Sequence, residues 1–313
     1  MSARLRGTLL PVSLFLALAL VPVFAKLGPE SFILAIATRL VILALAAMSL
    51  DLLIGYGGLV SFGHAAFLGI GAYAVGILSS HGIDDALLQL AAALAGAALF
   101  GLLTGLIALR TEGVYFIMIT LAFGQMLFFL ATSLAAYGGD DGMTLSSRSQ
   151  ILGHDLLRSD AALYGLSLGA LLLCYLLCRR LTASRFGRVL SGTRENRTRM
   201  EAIGFQPFRF QLVAYVMAGL IAGLAGFLFA NQTGFVSPAT MSWQRSGDLI
   251  FMVVLGGVGT LHGAVAGAAA FLLLEEVLSH WTEHWRILFG PLLVLAVLFA
   301  RGGIAGLVGG RRG

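Results

Sequence analysis

The chain has 313 residues, 58% of them hydrophobic and only 11% charged; so apolar a composition cannot clothe a water-soluble globule in polar groups, which excludes a soluble enzyme or binding module and indicates a bilayer. Twenty bases, all arginine except Lys26, against fifteen acids give a net charge of +5. The bases sit in short gaps between apolar runs, where the positive-inside bias places them, so the excess does not indicate nucleic acid.

A crossing helix needs roughly 20 apolar residues to span about 30 Å of hydrocarbon. In chain order, runs of about that length cover Gly7–Ala25, Leu52–Ser80, Ala86–Leu109, Gly113–Gly139, Ala161–Cys178, Phe210–Asn231 and Leu249–Leu274. Ser31–Leu50 qualifies apart from Arg39, and the short run Ile287–Ala300 extends backwards through Trp285 and Trp281, which suit an interface belt. The pattern predicts an all-α polytopic membrane protein of eight to ten transmembrane helices, one membrane domain over residues 1–313. Arg4, Arg6, the first apolar run and the ending Val23-Phe24-Ala25 imitate a signal peptide. The run is longer than the usual 7–15 residues of such a segment, so retention as a first helix is expected. Cys174 and Cys178, four apart in one run, share a helix face and are expected to be buried packing residues.

Arg4, Arg6, Arg110, the arginines from Arg179 to Arg209, Arg301, Arg311 and Arg312 are placed in the cytoplasm, with both termini; the acidic gaps at Asp84-Asp85, Asp140-Asp141 and Asp155 to Asp160 are placed outside. Alternate threading then works until Leu249–Leu278, whose thirty residues would make about 45 Å of helix. A break at Gly256-Gly257-Val258-Gly259, entering part-way and turning back, removes the conflict. A comparable break is read at Gly55-Tyr56-Gly57-Gly58. At an offset of 199 residues Gly57 and Gly58 fall on Gly256 and Gly257, and Ser61 on Thr260, as in two related halves with interrupted helices. Irregular backbone at membrane depth survives only against protein or a water-filled path, which makes Gly57, Gly58, Ser61, His64, Gly256, Gly257 and Thr260 candidates for the translocation path. Close packing through small residues is the competing reading, and the better one for Gly69, Gly71 and the tract Gly263–Ala270.

The largest polar stretch, residues 179–209, carries eight arginines. Between Thr193 and Ile203 it can form a short amphipathic helix, with Thr193 as N-cap, Asn196 and Met200 on one face and Gly204 as the stop. From composition alone it is as readily a topology anchor or an anionic-lipid patch. Among polar residues inside the runs, His64 is expected to satisfy loosened carbonyls rather than touch substrate, and Asp51 to brace the first break. Arg39 is expected to snorkel outward, and Glu275 and Glu276 to be solvated. Asp51 is read as the only acid well inside a run.

Several ordered motifs resemble one family over about 250 residues. They are Gly58-Leu59-Val60-Ser61-Phe62-Gly63-His64-Ala65-Ala66-Phe67 with Gly71-Ala72-Tyr73; Gly113-Val114-Tyr115-Phe116 with Thr120-Leu121-Ala122-Phe123-Gly124; Phe186-Gly187-Arg188 through Arg194-Glu195-Asn196 to Glu201-Ala202-Ile203-Gly204; Ala218-Gly219-Leu220-Ile221-Ala222-Gly223-Leu224-Ala225-Gly226; and Val254-Leu255-Gly256-Gly257-Val258-Gly259-Thr260. The chain resembles a LivM-type permease of branched-chain amino-acid ABC importers. The resemblance implies a coupling segment at Arg188, Arg194, Glu195, Asn196, Glu201, Ala202 and Gly204, which docks on an ATPase subunit and passes its closure to the membrane helices. It implies as partners a second, LivH-like permease, two cytoplasmic ABC ATPases and an external substrate-binding protein, in the inner or plasma membrane. It implies leucine, isoleucine and valine as cargo, although relatives carry urea, amides or aromatic acids. The acidic stretch Gly138-Gly139-Asp140-Asp141-Gly142 departs from the family pattern.

No cofactor, metal or catalytic residue is expected in the chain itself. It has no Gly-x-x-x-x-Gly-Lys-Ser/Thr phosphate loop, and its single lysine permits none, so ATP would be hydrolysed by partners. The other classes are an ion-coupled secondary transporter, which would be expected to carry an acidic relay at the midplane, and an intramembrane enzyme. For the enzyme only Ser61 with His64 and Thr260 with His262 offer a nucleophile beside a base.

Overall fold

Apolar length decides which segments become helices. The computed structural model describes residues 3–26, 28–145, 147–150, 154, 156–281, 287, 290, 291, 294 and 302–309. Its helices are α1 (Ala3–Ala25), α2 (Glu30–Asp51), α3 (His64–Ser80), α4 (Ala86–Ala108), α5 (Val114–Ser133), α6 (Asp160–Ala183), α7 (Arg185–Glu195), α8 (Arg197–Ala202), α9 (Pro207–Thr233), α10 (Trp243–Gly256), α11 (Leu261–Trp281) and α12 (Gly303–Gly309). Among the described residues α2 with its continuation to Gly57, α4, α5, α6, α9 and α11 are long and apolar enough to cross a membrane, and α3 and Pro11–Ala25 of α1 are shorter apolar helices. The span expected over Ile287–Ala300, with Trp285, falls mostly outside the described residues.

Side-chain contacts sort the connections into two ends. One end gathers the turn after α4, α7 and α8, joined where Arg197 Nη1 meets Glu112 Oε1 at 2.7 Å. The opposite end holds the turn after α3, the described residues of 134–159 and the stretch after α9. There β1 (Met143–Thr144) and β2 (Phe235–Val236) pair antiparallel. The Ser149 N–H donates to Asn231 Oδ1 at 2.8 Å, with Gln89 Oε1 beside the Ser149 hydroxyl, and Arg148 Nη2 meets Asp160 Oδ1 at 2.7 Å. The arginine-rich and acidic gaps of the sequence thus segregate to opposite ends of one helix bundle.

The centre of the bundle is the second half of α2. Every residue from Val41 to Asp51 is buried, with none of the apolar ones above 1% exposed, as expected of a helix apolar on all sides and surrounded by others. Cys174 and Cys178 are buried free thiols. Glycine sets the closest approaches: a Cβ on Gly71 would meet Gly223 O, and one on Gly226 would meet Leu68 O, so α3 and α9 touch backbone to backbone. Gly69 is filled by Met241, and Gly263 and Gly267 by Thr260 and Met252, which makes these glycines packing residues as expected.

Both interruptions are present. The first is narrower than the Gly55–Gly58 expected: α2 continues as a wider, π-helical turn over Leu52–Gly57 and stops only at Gly58, which is left-handed at φ 67°. The second stops α10 at Gly256, with φ 112° at Gly257 and 80° at Gly259. The stops fall on matched positions, Gly57-Gly58 and Gly256-Gly257. α10 and α11 then pack as a hairpin, with Gly256 against Gly263 O and Gly267 against Met252 O. With 14 residues α10 is about 21 Å long, short of a crossing of about 30 Å, which is the part-way entry the thirty-residue run required.

Candidate functional site

The two interruptions meet each other. Asp51, fully buried, accepts at Oδ1 from the Gly259 N–H at 2.7 Å. One turn further on, a Cβ on Gly55 would lie 2.5 Å from Gly259 Cα and 2.7 Å from Asp51 Oδ1. Here the two backbones touch, and only glycine fits. Asp51 therefore braces a break, as expected, but the one 208 residues away rather than its own. Gly57, singled out in the sequence, is less crowded: an added Cβ there would find Leu59 nearest, at 3.5 Å.

The 179–209 segment reaches this junction through Arg194. The Arg194 guanidinium donates through Nη1 to the Gly55 carbonyl, and its stem lies over Gly58, where an added Cβ would come within 2.8 Å of Arg194 Cγ. Freed from the regular helical ladder, the carbonyls of a π-helical turn are open to such outside donors. Gly58, Gly257, Gly259, Asp51 and Arg194 thus form one contiguous polar junction. Thr260 donates to the Gly257 carbonyl at 2.5 Å, closing the second turn on itself, and a Cβ on Gly257 would meet Gly302 O, which sits just before α12, at 2.5 Å.

The other path candidates face elsewhere. Ser61 is fully buried. His64 is buried too, and its Nε2 lies 2.8 Å from Ser49 Oγ, so its partner is an α2 hydroxyl and not the loosened carbonyls expected. Next to it, Phe62 N–H donates to Thr120 Oγ1 at 3.3 Å and Ala65 N–H to Ser246 Oγ at 3.1 Å. Amides freed after the first break are thus satisfied by hydroxyls of α5 and α10, which leaves the imidazole to α2.

The expected single helix over Thr193–Ile203 is two helices. Asn196, extended at φ −160° and ψ 100°, ends α7 and caps α8, accepting from the Arg199 N–H at 2.8 Å. Thr193 is no N-cap; it lies inside α7 and donates to the Val189 carbonyl at 2.8 Å. Asn prevails because its carboxamide reaches the amide three residues on, while burial of Met200 against Gly192 folds α8 back onto α7. Gly204, at φ 91°, is the expected stop, with the Phe205 N–H returning to the Met200 carbonyl at 3.1 Å. Arg188, Glu195, Asn196, Glu201, Ala202 and Gly204 are exposed, as are Ile203 and Phe205 beside them. Glu201 also accepts from Arg197 Nε at 3.1 Å.

Three expectations about charges are corrected. Arg39 does not simply snorkel, and Glu275 is not merely solvated: α2 and α11 lie side by side and bring Arg39 Nη2 to 3.4 Å from Glu275 Oε1. Nor is Asp51 the only acid at depth. Arg245 and Asp248 belong to α10, whose start is carried inward by the 3-10 turn Pro238–Met241 before it. Their three-residue spacing, one helix face, was the available signal; read as part of a connecting gap, the stretch gave no hint of its depth.

The family described as the permease component of branched-chain amino acid transport systems matches residues 32–298. Over 294 residues the chain is 28% identical to the high-affinity branched-chain amino acid transport system permease protein LivM of Salmonella typhimurium, covering 86% of this chain and 69% of that protein. Identity to the Escherichia coli protein of the same description is 29% over 295 residues, with the same coverage. A shorter likeness, 30% identity over 129 residues and 39% of each chain, links it to the autoinducer 2 import system permease protein LsrC of Photorhabdus luminescens. No solved structure matches. Since the family match takes in both interruptions and the whole α7–α8 segment, this multi-pass membrane chain belongs to the permease components of branched-chain amino acid transport systems and is a LivM-type permease.

Proposed function

We propose that the chain is a membrane-spanning subunit of an ATP-binding cassette importer that moves leucine, isoleucine and valine by alternating access. In this reading the arginine-rich end and both termini are cytoplasmic, and α8 with its exposed Ile203 docks in a groove of an ATPase subunit. The chain pairs with a second, LivH-like permease, two ATPase subunits serve the pair, and a substrate-loaded binding protein docks on the acidic end. ATP belongs to the ATPases, since the single lysine, Lys26, leaves this chain no phosphate loop of its own.

The observation that carries the reading is the Arg194 bond to the Gly55 carbonyl. It joins the segment that would follow an ATPase to the very turn where α2 yields and where the second interruption rests. Displacement of α8 is passed through α7 to Arg194, and from there to both broken helices, without a flexible link.

The test is the pair of substitutions Glu201→Arg and Gly204→Arg together. Glu201 is exposed and nothing lies within 4 Å of a Cβ on Gly204, so the local cost is about 1–2 kcal/mol from the left-handed backbone. In the assembled importer the double variant is expected to insert normally and to lose ATP-driven leucine uptake at least tenfold. Isoleucine and valine, and not urea, should compete with leucine in the unsubstituted complex. Unchanged uptake in a correctly inserted double variant would remove the coupling role from α8.

A further inference from the structure

A succession of short elements, β2, a 3-10 turn over Pro238–Met241 and the first turn of α10 from Trp243, descends into this bundle and reaches a pair of opposite charges. After β2 at the acidic end, Val236 lies beside Gly76 and Met241 fills the space at Gly69, while Ser246 Oγ accepts from the Ala65 N–H at 3.1 Å. The stretch from Val236 to Ser246 thus follows α3 from Gly76 down to Ala65, about 16 Å. Arg245 and Asp248 flank the Ser246 level, about 22 Å below Ser80 along α3. That is the level of the foot of α3 and not of a membrane surface. Arg245 Nη1 and Asp248 Oδ2 are 3.6 Å apart, with 25% and 35% of their side chains exposed.

A third polar group shares this depth. Gly124 of α5 packs on Gly63 at the foot of α3, where an added Cβ would lie 3.1 Å from Gly63 Cα, and the next residue is Gln125. Half-buried, Gln125 makes no hydrogen bond among the described residues. Lipid cannot face such a surface. Irregular backbone is not found against hydrocarbon, and one Arg or Asp at the centre of a membrane helix costs about 2.5–3.5 kcal/mol even on the mildest scale.

We propose that Arg245 and Asp248 hold the two charged ends of a zwitterionic α-amino acid at membrane depth, on a face of α10 that lines the cargo path, with Gln125 of α5 at a similar level. This rests on the importer reading above and adds the residues that recognise its cargo. A guanidinium and a carboxylate side by side complement an α-carboxylate and an α-ammonium, which an α-amino acid also carries side by side. Phe251, three residues beyond Asp248 on the same face and 44% exposed, offers apolar surface to the cargo side chain. Such a site reads the backbone that leucine, isoleucine and valine share and leaves the choice among side chains loose.

The experiment uses the complete importer in proteoliposomes with ATP and radiolabelled leucine. Asp248→Asn and Arg245→Gln are each expected to lower leucine uptake at least tenfold in a complex that still assembles, as read by co-purification of its subunits. Separately, Gln125→Cys and Asp248→Cys should react with a charged, membrane-impermeant thiol reagent, at least fivefold more slowly during leucine turnover, whereas Leu99→Cys and Leu173→Cys, on outward apolar faces, should stay inert. The buried Cys174 and Cys178 keep the background low. Uptake within twofold of the unsubstituted complex in both charge variants, or positions 125 and 248 as inert as position 99, would overturn the proposal. If the unsubstituted complex moves no branched-chain amino acid at all, it is the cargo reading that fails.

Discussion

The two interruptions stop at matched glycines but are held in different ways. The first is satisfied from outside: Arg194 covers the Gly55 carbonyl, Thr120 and Ser246 take the amides of Phe62 and Ala65, and Ser49 holds His64. The second is satisfied by its own Thr260 and by Asp51 of the first, and lies against Gly302. One break is anchored to the arginine-rich segment; the other hangs from the first and ends the helix that carries Arg245 and Asp248. Similar sequence at two breaks thus supports one element anchored to the arginine-rich segment and one that rests on the first.

The largest test of this difference is Gly55→Ala. Its methyl would collide at 2.5 Å with Gly259 backbone, which cannot swing away as a side chain would, so a loss of about 3 kcal/mol or more is expected. Gly57→Ala, with 3.5 Å to a flexible Leu59, should stay within about 0.5 kcal/mol. Thermal unfolding of both in detergent decides the ranking, and equal midpoints would remove the distinction between the two positions. Next comes Asp51→Leu, which strands the half-buried Gly259 N–H for about 1–2 kcal/mol. Asp51→Asn keeps an acceptor there and should recover most of the loss and most of the uptake. The most local effect belongs to Asn196→Ala, about 1 kcal/mol confined to α8, read as faster hydrogen exchange at residues 199–203 with the membrane helices unchanged. Asn196→Asp should restore protection.

The spans, the part-way entry of α10 and the matched stops were legible because each is a local property, apolar length or a run of glycines. What was not legible is carried by contacts without local trace. Arg39 with Glu275 and Asp51 with Gly259 join residues 236 and 208 apart, and nothing within either residue's own helix distinguishes a paired charge from a solvated one. The inward course of residues 236–246 looks like an ordinary loop in sequence, since Ser, Pro and Thr are turn residues at any depth. Only the contacts with Gly76, Gly69 and Ala65 fix its level. The split at Asn196 was a contest between two good capping residues, settled by where Met200 could bury its side chain.

Asp51 and Gly55 stand four residues apart, on one face of the same helix, and each is engaged by a different part of the chain. A twist of α2 by a single residue turns that face through about 100°, so neither bond can be kept while the other is given up. A contact of that kind fixes α2 in one rotational register.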